Sequence, residues 1–323
     1  MPVLSLETYN PLWVFKNGHI NTIYPYAIRK SIDPGFKRER LTTVDDDFID
    51  VDKVINGSSR LVILCHGLEG SSESKYILHT CNLLSQSGWD VICMNFRGCS
   101  GEMNKKLPMY HSGFTQDLHM VIKNYEKGYS EISLVGFSLG GNMILKYLGD
   151  GLNQLSPKIK SAVGVSVPCD LHAGAIHISR WQNKIYDIRF LQTLKEKVRV
   201  KKEMFPDKVD ITPLKNIKTL IAFDDHFTAP IHGFKDATDY YARCHCKQFL
   251  KNIKIPSLII SAVDDPFLPK ESYPYEEAHA SEYVHLLTPR YGGHVGFVTF
   301  GKKAYWNEEV INRFIDQPAS FIV

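Results

Sequence analysis

Leu134-Val135-Gly136-Phe137-Ser138-Leu139-Gly140-Gly141-Asn142 sets a serine between glycines where a strand meets a helix. Ile132 to Phe137 is a short apolar run of strand length, and Leu139 to Leu148 has a helical pattern with small residues on its first turn. A serine at such a junction sits in a strained turn with its hydroxyl lifted above the sheet. Glycines on both sides remove side chains that would clash there. This is the geometry of a nucleophile elbow. The bare Gly-x-Ser-x-Gly pattern arises by chance in roughly one chain in ten of this length. Its weight therefore rests on the elements around it and on partners elsewhere in the chain.

Outward from that junction, apolar strand-length runs alternate with helical patterns. Strands are expected at Phe48 to Ile55, Leu61 to His66, Asp90 to Phe96, Ile132 to Phe137, Ser161 to Val167, Ser257 to Val263 and Tyr283 to Leu287. Helices are expected near Tyr76 to Ser87, Thr115 to Tyr125, Leu139 to Gly149, Gly233 to Arg243 and Asn307 to Ile315. Such alternation implies an α/β fold with a mostly parallel central sheet flanked by helices. The alternation breaks from 170 to 252, where no strong strand occurs. We expect a helical lid inserted there within one domain that spans residues 1–323. The basic run Lys195 to Lys202 within it reads first as a solvated helix face. The alternative is a surface that attracts anionic substrates or lipid headgroups.

Composition narrows the class. The 323 residues are 44% apolar and 23% charged, with a net charge of +3, so no nucleic-acid partner is implied. No apolar run reaches the length of a membrane span. Residues 1–10 lack both a basic region and an apolar region of the kind found in secretory signals. Seven cysteines, an odd number, suit reduced thiols in a cytoplasmic setting. Cys65 and Cys93 lie within expected strands as small packing residues. Cys244-His245-Cys246 lacks a second ligand pair at zinc spacing, so no metal is expected. No cofactor is called for, and the oligomeric state is left open.

A serine hydroxyl is a poor nucleophile at neutral pH and needs a base, itself oriented by a carboxylate. Asp264 and Asp265 follow the strand that holds Ile259 and Ile260, on a loop at its C-terminal end, where parallel sheets keep functional groups. Asp265, directly before Pro266, is the choice for the acid, and Asp264 is expected to cap or brace the loop. The base is expected to be His294, in Tyr291-Gly292-Gly293-His294-Val295-Gly296, after the last strand. An oxyanion needs backbone N–H donors, expected from Leu139, directly after the serine, and from Leu68 in His66-Gly67-Leu68-Glu69-Gly70. Arg97 is expected to anchor loops, with Asp117 as a partner. His111 is ambiguous and stays outside the catalytic set.

These residues together resemble the YheT-like branch of the α/β-hydrolase superfamily. The likeness runs from Trp13 to about Phe300. It includes Gly18-His19-Ile20-Asn21-Thr22, His66-Gly67-Leu68-Glu69-Gly70-Ser71, Phe96-Arg97-Gly98-Cys99-Ser100-Gly101-Glu102 and Tyr110-His111-Ser112-Gly113. It continues through the elbow to Phe223-Asp224-Asp225-His226-Phe227-Thr228-Ala229-Pro230, Asp264-Asp265-Pro266-Phe267 and Gly292-Gly293-His294-Val295-Gly296-Phe297. The resemblance implies a triad of Ser138, Asp265 and His294. It also implies carboxylic-ester hydrolysis, with short-chain acyl esters or glycerolipids as substrates.

The expectation is thus a serine carboxylesterase that works through an acyl-enzyme. Trp181, Tyr186, Phe190 and Phe205 would either shape its pocket or form the core of the lid. A thioesterase, amidase or acyltransferase could use the same triad, because selectivity lives in pocket shape. A non-catalytic binding protein on the same fold is the alternative from another class.

Overall fold

The computed structural model describes residues 9–321. Eight strands form one sheet: β1 (Lys37–Thr42), β2 (Phe48–Val54), β3 (Arg60–Cys65), β4 (Asp90–Met94), β5 (Glu131–Phe137), β6 (Ile159–Val165), β7 (Ser257–Ile260) and β8 (Val284–Leu287). Their order is β1-β2-β4-β3-β5-β6-β7-β8. The pairs β1/β2 and β2/β4 are antiparallel and all others are parallel.

The apolar run in β3 is continuous because both of its faces are covered. Leu61, Ile63 and Cys65 pack with residues of α3 (Thr115–Tyr125) and α4 (Leu139–Gly149). Val62 and Leu64 pack on the other side with the helix Lys75–Gln86, named α2, and with Trp306–Asp316, named α8. Cys65 and Cys93 are buried in these two layers.

Among the elements that escaped the sequence reading, two are informative. β1 reads Lys-Arg-Glu-Arg-Leu-Thr and has no apolar alternation. It is an edge strand whose Arg38 and Arg40 reach back to Asp52 and Asp50 of β2, each at 2.8 Å. Charge pairing across the two strands specifies it, and charged side chains also blunt the exposed edge. The other is α1 (Gly18–Ala27), capped by Asn17, whose side chain accepts from Ile20 N–H.

Between β6 and β7 the chain is helical, with α5 (Leu171–Ile178), α6 (Lys184–Met204), α7 (Ala237–Cys244) and shorter turns. This segment has its own apolar cluster, built on Leu191, Leu194 and Val198 of α6 against Val209, Leu214, Ile217, Phe223 and Phe227. The basic run in α6 is not a simple solvated face. Lys201 is fully buried, donating to the backbone carbonyls of Asn104 and Lys106, and burial lowers its pKa to about 8. Lys197 bonds Glu69 at 2.8 Å and Cys99 Sγ at 3.1 Å. Only Arg199 of these cations is half exposed. The carbonyls and carboxylate of the sheet domain, rather than solvent, receive the lysines on this face.

Candidate active site

The turn between β5 and α4 is the most constrained part of the site. Ser138 has φ 52° and ψ −117°, a conformation in which a residue with a Cβ is strained. Its N–H donates to Val165 O at 2.8 Å, and its carbonyl accepts from Asn142 N–H. The strain is tolerated because α4 sits almost on the sheet. A Cβ at Gly140 would meet the carbonyls of Cys65 and His66 at 2.5 Å, and one at Gly136 would strike the backbone of Gly140. Any larger residue at either position would push the helix away and relax the turn.

His294 and Asp265 meet across 29 residues of chain. His294 Nδ1 lies 2.9 Å from Asp265 Oδ2 and 3.1 Å from Oδ1, with both side chains almost wholly buried. A carboxylate can only accept, so Nδ1 carries the proton and Nε2 is the basic nitrogen. Asp265 also accepts from Phe267 N–H at 2.8 Å, and the Phe267 ring stacks on the imidazole at 4.0 Å and 16°. Ring orientation is therefore set from two sides. Asp264, its neighbour, does not reach the imidazole. Its Oδ1 accepts from Gly293 N–H at 2.9 Å, and burial, with Asp265 beside it, lifts its carboxyl to about 6. No hydrogen bond joins the Ser138 hydroxyl to His294 among the described residues, yet both side chains line the same two cavities.

The loop bearing His294 is strained as well, with positive φ at Gly293, Val295 and Phe297. Four of its amides are held by side-chain acceptors from three places in the fold, two of them adjacent residues of α1. Gly293 N–H goes to Asp264, His294 N–H to Thr22 Oγ1 at 2.8 Å, Val295 N–H to Ser166 Oγ at 2.9 Å, and Val298 N–H to Asn21 Oδ1 at 3.0 Å. The Thr22 hydroxyl in turn donates to Gly18 O at 2.6 Å. Asn21 donates to Tyr9 Oη and Phe15 O. Thr22, Asn21 and Ser166 had no role in the sequence reading. The only pointer was that Asn21 and Thr22 sit in the Gly18-His19-Ile20-Asn21-Thr22 motif.

Among the described residues, two backbone donors beside the serine have no partner. Gly67 N–H donates to Tyr76 Oη and Glu69 N–H to Tyr110 Oη, each at 2.9 Å, whereas Leu68 N–H between them has no partner among the described residues. Leu139 N–H, the first of α4, is likewise unpaired, as helix N-terminal amides are. His66, just before this loop, accepts from Phe96 N–H through Nε2 at 3.1 Å and donates through Nδ1 to Gly67 O at 2.7 Å. Burial holds it neutral, with a pKa pushed down to about 3.

Arg97 is an anchor. It is 2% exposed and makes paired contacts at 2.8–2.9 Å with both Asp117 and Asp45. His111 accepts from Gly113 N–H, lies 3.7 Å from Cys244 Sγ, and is kept neutral by burial.

The two cavities share Leu68, Ser138, Phe190, Phe267 and His294. The smaller, about 130 Å³, runs toward Leu171, Ala175 and Ile178 of α5 and the polar group of Asp224, Tyr240 and Tyr241. The larger, about 670 Å³, runs between α1, the start of α2 and α6. Of the four aromatic residues expected at the pocket, Tyr186 and Phe190 line it. Trp181 is 84% exposed and Phe205 packs in the apolar cluster of the helical segment. Trp181 lies in a short turn before α6, where no neighbouring element covers it.

Residues 60–300 match the model of the alpha/beta hydrolase fold family. The YheT protein of Escherichia coli (strain K12) is 36% identical over 303 residues, covering 91% of this chain and 88% of that one. Phospholipase ABHD3 of Bos taurus is 29% identical, covering 97% of this chain and 79% of that one. The Pyrococcus furiosus esterase Pf2001 superposes with a TM-score of 0.57 at 18% identity, covering 87% of this chain and 92% of that one, which is a likeness of fold. With the sheet order and these matches together, the chain belongs to the α/β-hydrolase family, in its YheT-like branch.

Proposed function

We propose that the protein is a serine hydrolase of carboxylic esters. The carrying observation is the His294–Asp265 pair, sharing its cavities with a strained Ser138 and with the unpaired N–H groups of Leu68 and Leu139. Ser138 Oγ attacks the ester carbonyl and gives its proton to His294 Nε2. The two N–H groups take the oxyanion. His294 then protonates the departing alcohol, and later draws a proton from the water that releases the acid. Asp265 holds the imidazole in the required tautomer throughout. No cofactor or metal enters this sequence.

The substrate we propose is a small glycerolipid or short acyl ester. By volume the smaller cavity suits a short acyl chain and the larger one a bulkier alcohol portion. Relatives named as phospholipase ABHD3 and monoacylglycerol lipase ABHD2 support a lipid ester. Residues 170–252 act as a lid in this reading, since α5 and α6 supply the walls of both cavities.

The test is labelling with a fluorophosphonate probe, together with turnover of p-nitrophenyl esters and matched acyl thioesters. The expected result is labelling at Ser138, with labelling and turnover lost in a folded Ser138→Ala protein. Full turnover in that variant would remove the mechanism. A preference for thioesters would correct the substrate class.

A further inference from the structure

The mouth of the larger cavity is rimmed by apolar side chains left open to solvent. Ile23 and Tyr26 of α1 and Ile185 and Ile188 of α6 line the cavity and are 41–65% exposed. Trp13 and Trp181, on the short turns that precede α1 and α6, are each 84% exposed. The two helices form one surface. His19 Nδ1 lies 3.0 Å from Tyr186 Oη, and the Arg189 guanidinium sits 4.1 Å from the centre of the Tyr26 ring. Soluble proteins seldom gather this much apolar surface without a partner for it.

The charges around the patch say what that partner is. Lys16, Lys30, Lys75, Arg180 and Arg189 lie on or beside these segments, and none has a carboxylate partner among the described ion pairs. Glu73, which also lines the cavity, is outweighed. Exposed indole and phenol rings together with cations that have no carboxylate partner match a phospholipid surface, where rings settle at headgroup level and cations meet phosphates. We propose that this face docks onto a phospholipid bilayer that contains anionic lipid, with the cavity mouth turned toward the membrane. Docking depends only on this face. That it delivers an ester to Ser138 rests on the serine hydrolase reading.

The experiment is flotation of the full chain with vesicles of phosphatidylcholine and phosphatidylglycerol at 3:1, alongside hydrolysis of a water-soluble p-nitrophenyl ester. Wild type should float with these vesicles and show a blue-shifted tryptophan emission. The Trp13→Ser/Trp181→Ser variant should bind roughly 10-fold more weakly or less and hydrolyse the soluble ester normally. Arg180→Glu/Lys30→Glu should weaken binding to the mixed vesicles and not to pure phosphatidylcholine. Failure to float, or undiminished flotation by the tryptophan variant, would overturn the proposal. So would a vesicle-free dimer in sedimentation velocity that the tryptophan substitutions abolish, since a second copy would then cover the face. Flotation by Ser138→Ala equal to that of wild type would keep docking separate from catalysis.

Discussion

The hydroxyl of Thr22 accepts the backbone N–H of His294 at 2.8 Å, joining the N-terminal helix to a loop 272 residues later. The same hydroxyl donates to Gly18 O, so both of its roles are used. The contact makes α1 part of the support of the imidazole, because a strained loop keeps its shape only where neighbours over-determine it.

Thr22→Val keeps the shape and removes the acceptor, which leaves His294 N–H unpaired at a cost of about 1–3 kcal/mol. We expect kcat to fall roughly 10- to 100-fold with KM little changed, since a misplaced base affects chemistry more than binding. Thr22→Ser should restore most of the rate. Equal losses in both variants would show that the methyl group, not the oxygen, matters.

Asp265→Asn should reduce kcat by about 10³- to 10⁴-fold, by presenting the wrong hydrogen-bond partner to Nδ1. Asp264→Asn should cost much less, because Asp264 braces Gly293 and does not reach the ring. Steady-state kinetics of the two variants on one ester decides the order. The reverse ranking would move the acid to Asp264.

Lys197 and Glu69 form a nearly buried ion pair between α6 and the loop that carries Leu68. Lys197→Met leaves the nearly buried Glu69 carboxylate with the Tyr110 hydroxyl but no cation, so its cost in stability should exceed that of removing both charges. A double-mutant cycle of Lys197→Met with Glu69→Gln, followed by chemical denaturation, should give a coupling of at least about 1 kcal/mol. Additive effects would mean that the pair does not hold the helical segment to the loop.

Asp224 sits in a π-turn and accepts from Thr228 Oγ1 and Tyr241 Oη, each at 2.6 Å. Burial raises its carboxyl from 3.8 to about 6 despite these bonds. A carboxyl raised on folding binds its proton more tightly in the folded state. Its contribution therefore favours the fold at low pH and is lost as pH climbs from about 4 through about 6. The full effect is on the order of 3 kcal/mol. The Tm of wild type minus that of Asp224→Asn should thus be largest at about pH 4 and below, and shrink by pH 7.5. A difference that is flat with pH would refute the assignment.

What could be read along the chain followed from short-range rules. Doubly covered strands are largely apolar along their length, so β3, β4 and β5 stand out by composition. A serine turn needs glycines where a helix lies on a sheet, so Gly136 and Gly140 mark the elbow. β1 left no such trace, because a charged edge strand is specified by its neighbour β2 and not by its own residues. Whether a carboxylate one place earlier or later meets an imidazole depends on the path of the loop, and the fold settled it by turning Asp264 onto Gly293 and Asp265 onto His294. Asn21 and Thr22 of α1 and Ser166 after β6 converge on the histidine loop from two distant segments. Polar side chains of that kind have no periodicity of their own, so their purpose emerges only once the chain has brought them together.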